Sequence, residues 1–217
     1  MSENIVYQGQ FGEYTIDRSD RIGVIVYRAG MAIAALSVAV GGFLFLGLGA
    51  TPTVLSWLTV LFFTFSAGLG ISLATIHIYL IPLHRLLQLF WAIGTLSAAF
   101  IVFKTDQPLA LYIYNNPLSL LGVGFIFAAL TGIYFKEAFC FNRIETQVLT
   151  FIVPALFLGH LIGFVPVDWE KVLLDLWLVL FVVFAARKSF QEIPADIGDK
   201  SVFDYLKKQK STSNTAS

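Results

Sequence analysis

The sequence predicts an all-α, polytopic membrane protein with six transmembrane helices and both termini in the cytoplasm. The prediction rests on the composition, the spacing of the apolar segments and the placement of the positive charges. Of the 217 residues, 57% are hydrophobic and 13% are charged, whereas soluble domains usually carry about 25% charged residues. The mean hydropathy of +0.78 is that of a chain that lies mostly in lipid.

The apolar residues fall into segments long enough to cross a bilayer, which takes about 20 residues of helix. Six segments are predicted to span, at 29–49, 54–79, 86–103, 116–135, 147–165 and 170–186. Turn-forming residues separate them, such as Thr51-Pro52 after the first and Pro166 after the fifth. The apolar stretch 109–114 is too short to span and is expected at the membrane interface.

The positive charges orient these spans. With six spans, the two tails share one side with the loop between spans two and three and the loop between spans four and five. All 14 Lys and Arg residues except Lys104 and Lys171 fall on that side, and positive charge favours the cytoplasm. An odd number of spans would destroy this partition. The predicted location is therefore a plasma or thylakoid membrane, with both termini in the cytoplasm.

Three regions follow from this topology. Residues 1–28 form an N-terminal cytoplasmic segment, in which a short hairpin is predicted around Gly9 and Gly12. Residues 29–186 form the six-helix transmembrane bundle. Residues 187–217 form a cytoplasmic tail that is amphipathic from Lys200 onward and is predicted to be disordered at its end, STSNTAS.

Small residues recur at every fourth position in two spans. Ser66, Gly70 and Ala74 form one row, and Gly124, Ala128 and Gly132 form another. Such rows let helices approach closely in lipid. They predict close packing inside the bundle or, as the alternative, a homodimer interface.

Three polar residues are predicted to lie within the membrane: His77, His160 and Asp175. Ionisable residues there are candidates for function, although Lys171 could hold Asp175 as a pair four residues apart on one helix. The two histidines lie at different depths, so they do not form a haem site together. Either one could ligate a pigment singly, or could form a hydrogen bond within the bundle.

The loop between spans four and five carries the second set of candidates, in the stretch FKEAFCFNRIE: Lys136, Glu137, Cys140, Arg143 and Glu145. A loop of about ten residues is predicted, in which Glu137 reaches Arg143 and Glu145 lies at the N-terminus of the next helix, where negative charge is favourable. Cys140 has no nearby activating base. The loop is interpreted as a structural hairpin, or alternatively as a docking or ligand-binding loop.

The sequence gives no indication of catalysis. It lacks a phosphate-binding glycine loop of the Walker type and the patterns GxSxG, HExxH and CxxC. One cysteine and three histidines provide no metal cage, and the balance of 14 basic against 14 acidic residues gives no sign of a nucleic-acid partner. We therefore expect no catalytic residue, no metal and no cofactor.

The strings VYQGQFGEYTI and RIGVIVYRAG, together with YFKEAFCFNRIET, resemble a family of uncharacterised integral membrane proteins, a domain of unknown function found mainly in cyanobacteria. The resemblance covers about Val6 to Arg187. It implies a small polytopic protein of a cyanobacterial membrane with no established activity, and it favours a photosynthetic setting.

The leading functional hypothesis is a non-enzymatic protein that assists or scaffolds a membrane complex through its cytoplasmic face, with a membrane protein as partner. The alternative is a small-solute or ion permease acting as a dimer. The strings HIYLIP and HLIGFVP, which end corresponding spans in the two halves of the chain, are similar, and transporters often contain inverted repeats. A single-histidine pigment protein is the third and weaker alternative.

Overall fold

The computed structural model describes residues 5–203 and 205–206, and these form a helical bundle with a small hairpin at one end. The elements are β1 (Val6–Gly9), β2 (Gly12–Thr15), α1 (Arg18–Leu48), α2 (Pro52–Thr75), α3 (Ile81–Lys104), α4 (Leu109–Asn115), a 3-10 turn (Pro117–Ser119), α5 (Leu120–Phe141), α6 (Ile144–Ile162), α7 (Val167–Ser189) and α8 (Ile193–Ile197). The end of the predicted tail, residues 207–217, lies outside the described residues.

The hairpin pairs β1 with β2 in antiparallel fashion, with Val6 opposite Thr15 and Gly9 opposite Gly12. Gly12 has a φ of 137°, a backbone conformation that favours glycine. Directly after the hairpin, the Asp17 side chain accepts from the Asp20 backbone N–H, and the Asp20 side chain accepts from the Asp17 N–H, each at 2.9 Å. This capping box starts α1 at Arg18 instead of residue 29, so the first helix is much longer than its predicted span.

Five helical segments are long and apolar enough to cross a membrane: Arg18–Leu48, Pro52–Thr75, Ile81–Lys104, Pro117–Phe141 and Ile144–Ile162. Helix α7 has 23 residues but is not among them. It carries acidic residues in its first turn, and Arg187 and Lys188 in its last. Lys171 and Asp175 add two more charges, so α7 lacks the long, nearly uncharged stretch that the other five have.

Helix α5 continues to Phe141, beyond the predicted span end at residue 135. The predicted loop of about ten residues is wrong, because only Asn142 and Arg143 separate α5 from α6. Asn142 has a φ of 48°, in the left-handed region, where it ends the helix and reverses the chain.

Two ends of the bundle are distinguished below. The terminal face carries the hairpin, α8, the α2–α3 connection and the α5–α6 turn; the opposite face carries α4 and the α1–α2 and α6–α7 connections. Helix α4 has seven residues, too few to span, and its Leu109 N–H donates to the Thr59 hydroxyl of α2 at 3.0 Å.

Aromatic rings fill the middle of the bundle. The Phe127 ring stacks on Phe157 with 4.0 Å between centroids and meets Trp177 edge-on at 5.8 Å. Nearer the terminal face, Tyr134 meets Phe181 and Phe184 edge-on at 5.5 and 5.6 Å. Pairs of this kind add about 0.5–1.5 kcal/mol each beyond the area they bury.

Small residues bring α1 and α2 into close contact. A Cβ added at Gly30 would lie 2.6 Å from the Gly68 carbonyl oxygen, and the Ser72 hydroxyl donates to the Tyr27 carbonyl at 2.9 Å. In the same helix, Ser66 bonds Thr95 of α3 at 2.7 Å. Gly68, Ser72 and Ser66 of α2 therefore contact neighbouring helices inside the bundle.

In the fourth span the row divides. Gly132 faces the Leu87 side chain of α3, whereas Gly124 and Ala128 line an open apolar groove of about 340 Å³ between α5 and α6. The predicted homodimer stays a prediction.

Candidate functional site

A buried ion network at the terminal face joins α5, α7 and α8. The Lys188 ammonium, in the last turn of α7, donates to Glu137 Oε2 of α5 at 2.5 Å and to Asp196 Oδ1 of α8. All three side chains are at most 2% exposed. A buried charge is tolerated only when paired in this way, so the network fixes the position of α8 against the bundle.

The free oxygen of each carboxylate is bonded by further donors. Glu137 Oε1 accepts from the Lys136 ammonium at 2.9 Å and from the Tyr27 hydroxyl at 3.1 Å. Asp196 Oδ2 accepts from Arg28 Nε at 2.8 Å and Nη2 at 2.6 Å. Helix α1 is thereby joined to both carboxylates through two consecutive residues.

The same arginine closes the turn before α8, since Arg28 Nη2 also donates to the Glu192 carbonyl at 3.1 Å. The Arg28 side chain is 11% exposed and connects α1 with the tail.

The C-terminal segment also holds the hairpin. The Asp199 carboxylate accepts from the Gln10 backbone N–H at 2.6 Å and from the Ser201 N–H and hydroxyl. The hydrogen bonds from Ser201 and Gln10 hold the pKa of Asp199 below its usual value. Asp199 N–H donates to the Tyr79 hydroxyl of the α2–α3 connection.

Aromatic contacts extend this attachment along the tail. Phe203 packs on Tyr79 with 4.9 Å between ring centroids, and Tyr205 stacks on Phe11 of the hairpin at 4.1 Å. The predicted amphipathic stretch from Lys200 thus places these aromatic side chains against the protein.

The α5–α6 turn contacts the end of α7. Arg143 Nη2 donates to Gln191 Oε1 at 2.9 Å, and Arg187 Nη1 donates to Glu145 Oε2 at 2.8 Å. The predicted contact of Glu137 with Arg143 is therefore wrong, because Lys136 and Lys188 hold Glu137. Glu145 does lie in the first turn of α6.

Two atoms of this turn, Arg143 Nη1 and Glu145 Oε1, are buried and have no hydrogen-bond partner among the described residues. An unpaired buried polar atom costs about 1–3 kcal/mol. Cys140 is a free thiol exposed on the last turn of α5.

His160 lies near the opposite face, far from the network. Its Nδ1 is 2.9 Å from Glu170 Oε1 at the start of α7, and its ring stacks on Tyr114 with centroids 5.1 Å apart. Its Nε2 is buried and has no partner within the described part of the chain. His160 is therefore held by a carboxylate, as in the hydrogen-bonded interpretation.

Of the two remaining candidates, Asp175 lies apart from the ion network, whereas His77 lies near enough to Lys136 and Asp196 for their charges to act on it. Asp175 is exposed on α7, and Lys171 pairs with Asp168 at 3.4 Å, so the predicted Lys171–Asp175 pair is wrong. His77 lies in the α2–α3 connection after the end of α2, where burial lowers its pKa.

Sequence reasoning missed the centre of the network. Lys188 was counted only among the positive charges of the cytoplasmic side, and neither Asp196 nor Tyr27 was a candidate. One signal could have found Lys188: it follows directly on a long apolar run, where a partly buried cation is expected to need a carboxylate. Within the described residues, no group of three or more His, Cys, Asp or Glu side chains could hold a metal ion.

Taken together, the fold and the ion network define a polytopic, α-helical integral membrane protein in which ion pairs hold α8 against the bundle at the terminal face. The chain belongs to the family described as Uncharacterized integral membrane protein (DUF2301), whose profile matches residues 71–205, more than half of the chain. The match includes the α5–α6 turn and most of the network. No curated protein and no solved structure matches the chain.

Proposed function

We propose that the protein is a non-enzymatic membrane protein that assists or scaffolds a membrane complex, with its terminal face as the docking surface. The observation that carries the proposal is the buried ion network, which fixes α8 to three helices of the bundle. With the hairpin attached to the same tail, the terminal face becomes one preorganised surface. Preorganised surfaces lose less entropy when a partner binds.

We further propose six spans with both termini in the cytoplasm. Helix α7 supports the sixth span, because it begins beside His160 at one end of the bundle and ends beside Glu137 at the other. Its 23 residues extend about 35 Å at 1.5 Å per residue, more than the roughly 30 Å of a hydrocarbon core. The positive charges of the terminal face favour the cytoplasmic side. A cyanobacterial plasma or thylakoid membrane, and a photosynthetic complex as partner, complete the proposal.

The filled interior favours scaffolding over transport. Phe127, Phe157 and Trp177 pack against one another in the middle of the bundle, where a solute would have to pass. The permease alternative retains one observation: buried polar atoms of Glu145 and His160, near opposite ends of the bundle, have no partner within the described residues. If Asp175→Asn and His160→Ala leave solute uptake unchanged, that alternative loses its support.

The test is purification of the tagged protein from its own membranes in mild detergent, with co-purifying proteins and the visible spectrum recorded together. A stoichiometric membrane-protein partner is expected, and Asp196→Asn should weaken its retention. Asp168→Asn is the matched control, because its exposed carboxylate pairs on the opposite face. A partner-free particle would contradict the proposal, and a coloured particle would favour the pigment alternative.

A further inference from the structure

The turn between α5 and α6 lies at the membrane surface, because it joins two helices that can each cross the membrane. The end of α7 lies beside it. Two hydrogen bonds join the turn to the end of α7: Arg143 donates to Gln191, and Arg187 donates to Glu145. The two guanidinium groups therefore lie on one rim of the terminal face.

Both guanidinium groups have donors to spare. The Arg187 side chain is 56% exposed, and only its Nη1 has an acceptor among the described residues. Arg143 Nη1 is buried and likewise has no acceptor in the described chain. Guanidinium groups with unpaired donors bind phosphate oxygens with good geometry.

The local charge favours an anion. Around the Phe141 ring lie three cations, with Lys188 Nζ at 4.4 Å, Lys136 Nζ at 5.5 Å and the Arg143 guanidinium carbon at 5.6 Å from its centroid. The connected cluster holds five cations, Arg28, Lys136, Arg143, Arg187 and Lys188, against three buried carboxylates, Glu137, Glu145 and Asp196. With Glu192, which is exposed on the following turn, the cluster has four carboxylates against five cations and keeps a positive excess.

Large exposed apolar side chains lie within four residues of the arginines in the chain. Phe190 is 90% exposed, Phe139 is 85% exposed and Ile144 is 74% exposed. Next to a cationic site at the bilayer surface, such side chains can contact the glycerol and acyl region of a lipid. A free inorganic anion has no apolar group that would contact them.

We propose that this rim binds the phosphate headgroup of an anionic phospholipid. Arg143 and Arg187 donate to the phosphate oxygens, and Phe139, Ile144 and Phe190 contact the chains beside it. The proposed site lies on the α5–α6 turn and the end of α7, so it stands whether or not the terminal face docks a protein.

The test measures binding of phosphatidylglycerol and phosphatidylcholine, with matched acyl chains, to the delipidated full-length protein by native mass spectrometry. Phosphatidylglycerol should bind more tightly. Each arginine near an anionic lipid contributes roughly a fivefold factor in affinity, so R143Q/R187Q should weaken the binding of phosphatidylglycerol about 25-fold. R85Q is the matched control, because Arg85 is exposed near the same face and bonds only Gln88 among the described residues. It should change affinity less than twofold.

Two further measurements separate the possible failures. E145Q/R187Q removes both charges of one pair, so it avoids an unpaired buried carboxylate if the first variant does not fold. It should also weaken phosphatidylglycerol binding, by about two- to fivefold, because the lost Glu145 carboxylate offsets part of the lost Arg187 charge. Inorganic phosphate at millimolar concentration should not displace the lipid. Equal losses in the double variants and R85Q, equal binding of the two lipids, or displacement by phosphate would each overturn the proposal.

Discussion

The Lys188 ammonium donates to the Glu137 carboxylate at 2.5 Å, although 51 residues separate them in the chain. Both side chains are almost wholly buried, at the end of the bundle that carries the hairpin and α8. This pair connects α5 with α7, and Asp196 extends it to α8.

Lys188→Met should destabilise the protein by about 3–5 kcal/mol, because it leaves Glu137 and Asp196 buried with one cation fewer. The free energy of unfolding in mixed detergent micelles measures this. Lys171→Met, which breaks an exposed pair on the opposite face, should cost less than about 1 kcal/mol. Equal losses in the two variants would show that the network contributes no special stability.

The double variant Glu137→Gln/Lys188→Met should be more stable than the two single losses predict, because it leaves no unpaired charge between those positions. A double-mutant cycle on the same unfolding free energies gives the coupling. We expect about 1–3 kcal/mol of coupling between the two residues. Strict additivity would contradict the direct contact.

Asp196→Asn should loosen α8 and the tail without unfolding the bundle. Arg28 and Lys188 lose their charged acceptor, and a hydrogen bond to a charged group contributes about 1.5–3 kcal/mol. Amide hydrogen exchange of Ile193–Ile197 should therefore accelerate about tenfold or more, while that of α2 stays unchanged. Unchanged protection of α8 would show that the ion pairs of Asp196 do not hold this helix in place.

The hairpin should leave the tail in acid. Because hydrogen bonds lower the pKa of Asp199 in the folded protein, its contribution is fully present above the unfolded value of about 3.8. It is lost as the pH falls through the lower, folded pKa. Hydrogen exchange of residues 6–15 should show protection near pH 4 that disappears at lower pH, and Asp199→Asn should abolish this pH dependence.

Gly30→Ala should destabilise the contact of α1 with α2 by about 1–3 kcal/mol, because the added methyl would lie 2.6 Å from the Gly68 carbonyl oxygen. Gly47→Ala in the same helix is the control, since no atom lies within 4 Å of its added methyl. The control should be neutral or slightly stabilising, because alanine favours helix more than glycine does. Thermal unfolding of the two variants in detergent compares them directly.

The sequence was sufficient to predict long helices, because apolar composition decides which segments enter lipid. It placed their ends less well. Polar residues set those ends: the Asp17–Asp20 capping box extends α1 toward the N-terminus, and Asn142 in the left-handed conformation lets α5 run on to Phe141. Neither effect changes the hydropathy of the segments.

The ion network could be predicted only in part. Glu137 was a candidate because it stands beside an apolar run, but its expected partner, Arg143, was simply near in sequence. The true partner, Lys188, comes near Glu137 only when α5 packs beside α7, and Asp196 only when the tail folds back. Such pairings depend on tertiary packing, which a single sequence does not specify.

The most direct test of docking through the terminal face is photo-crosslinking in native membranes. A photoreactive amino acid replaces Thr15, exposed on the hairpin, or Gln107, exposed on the opposite face. The account predicts a discrete protein adduct from position 15 and none from position 107. An adduct only from position 107, or from neither position, would contradict it.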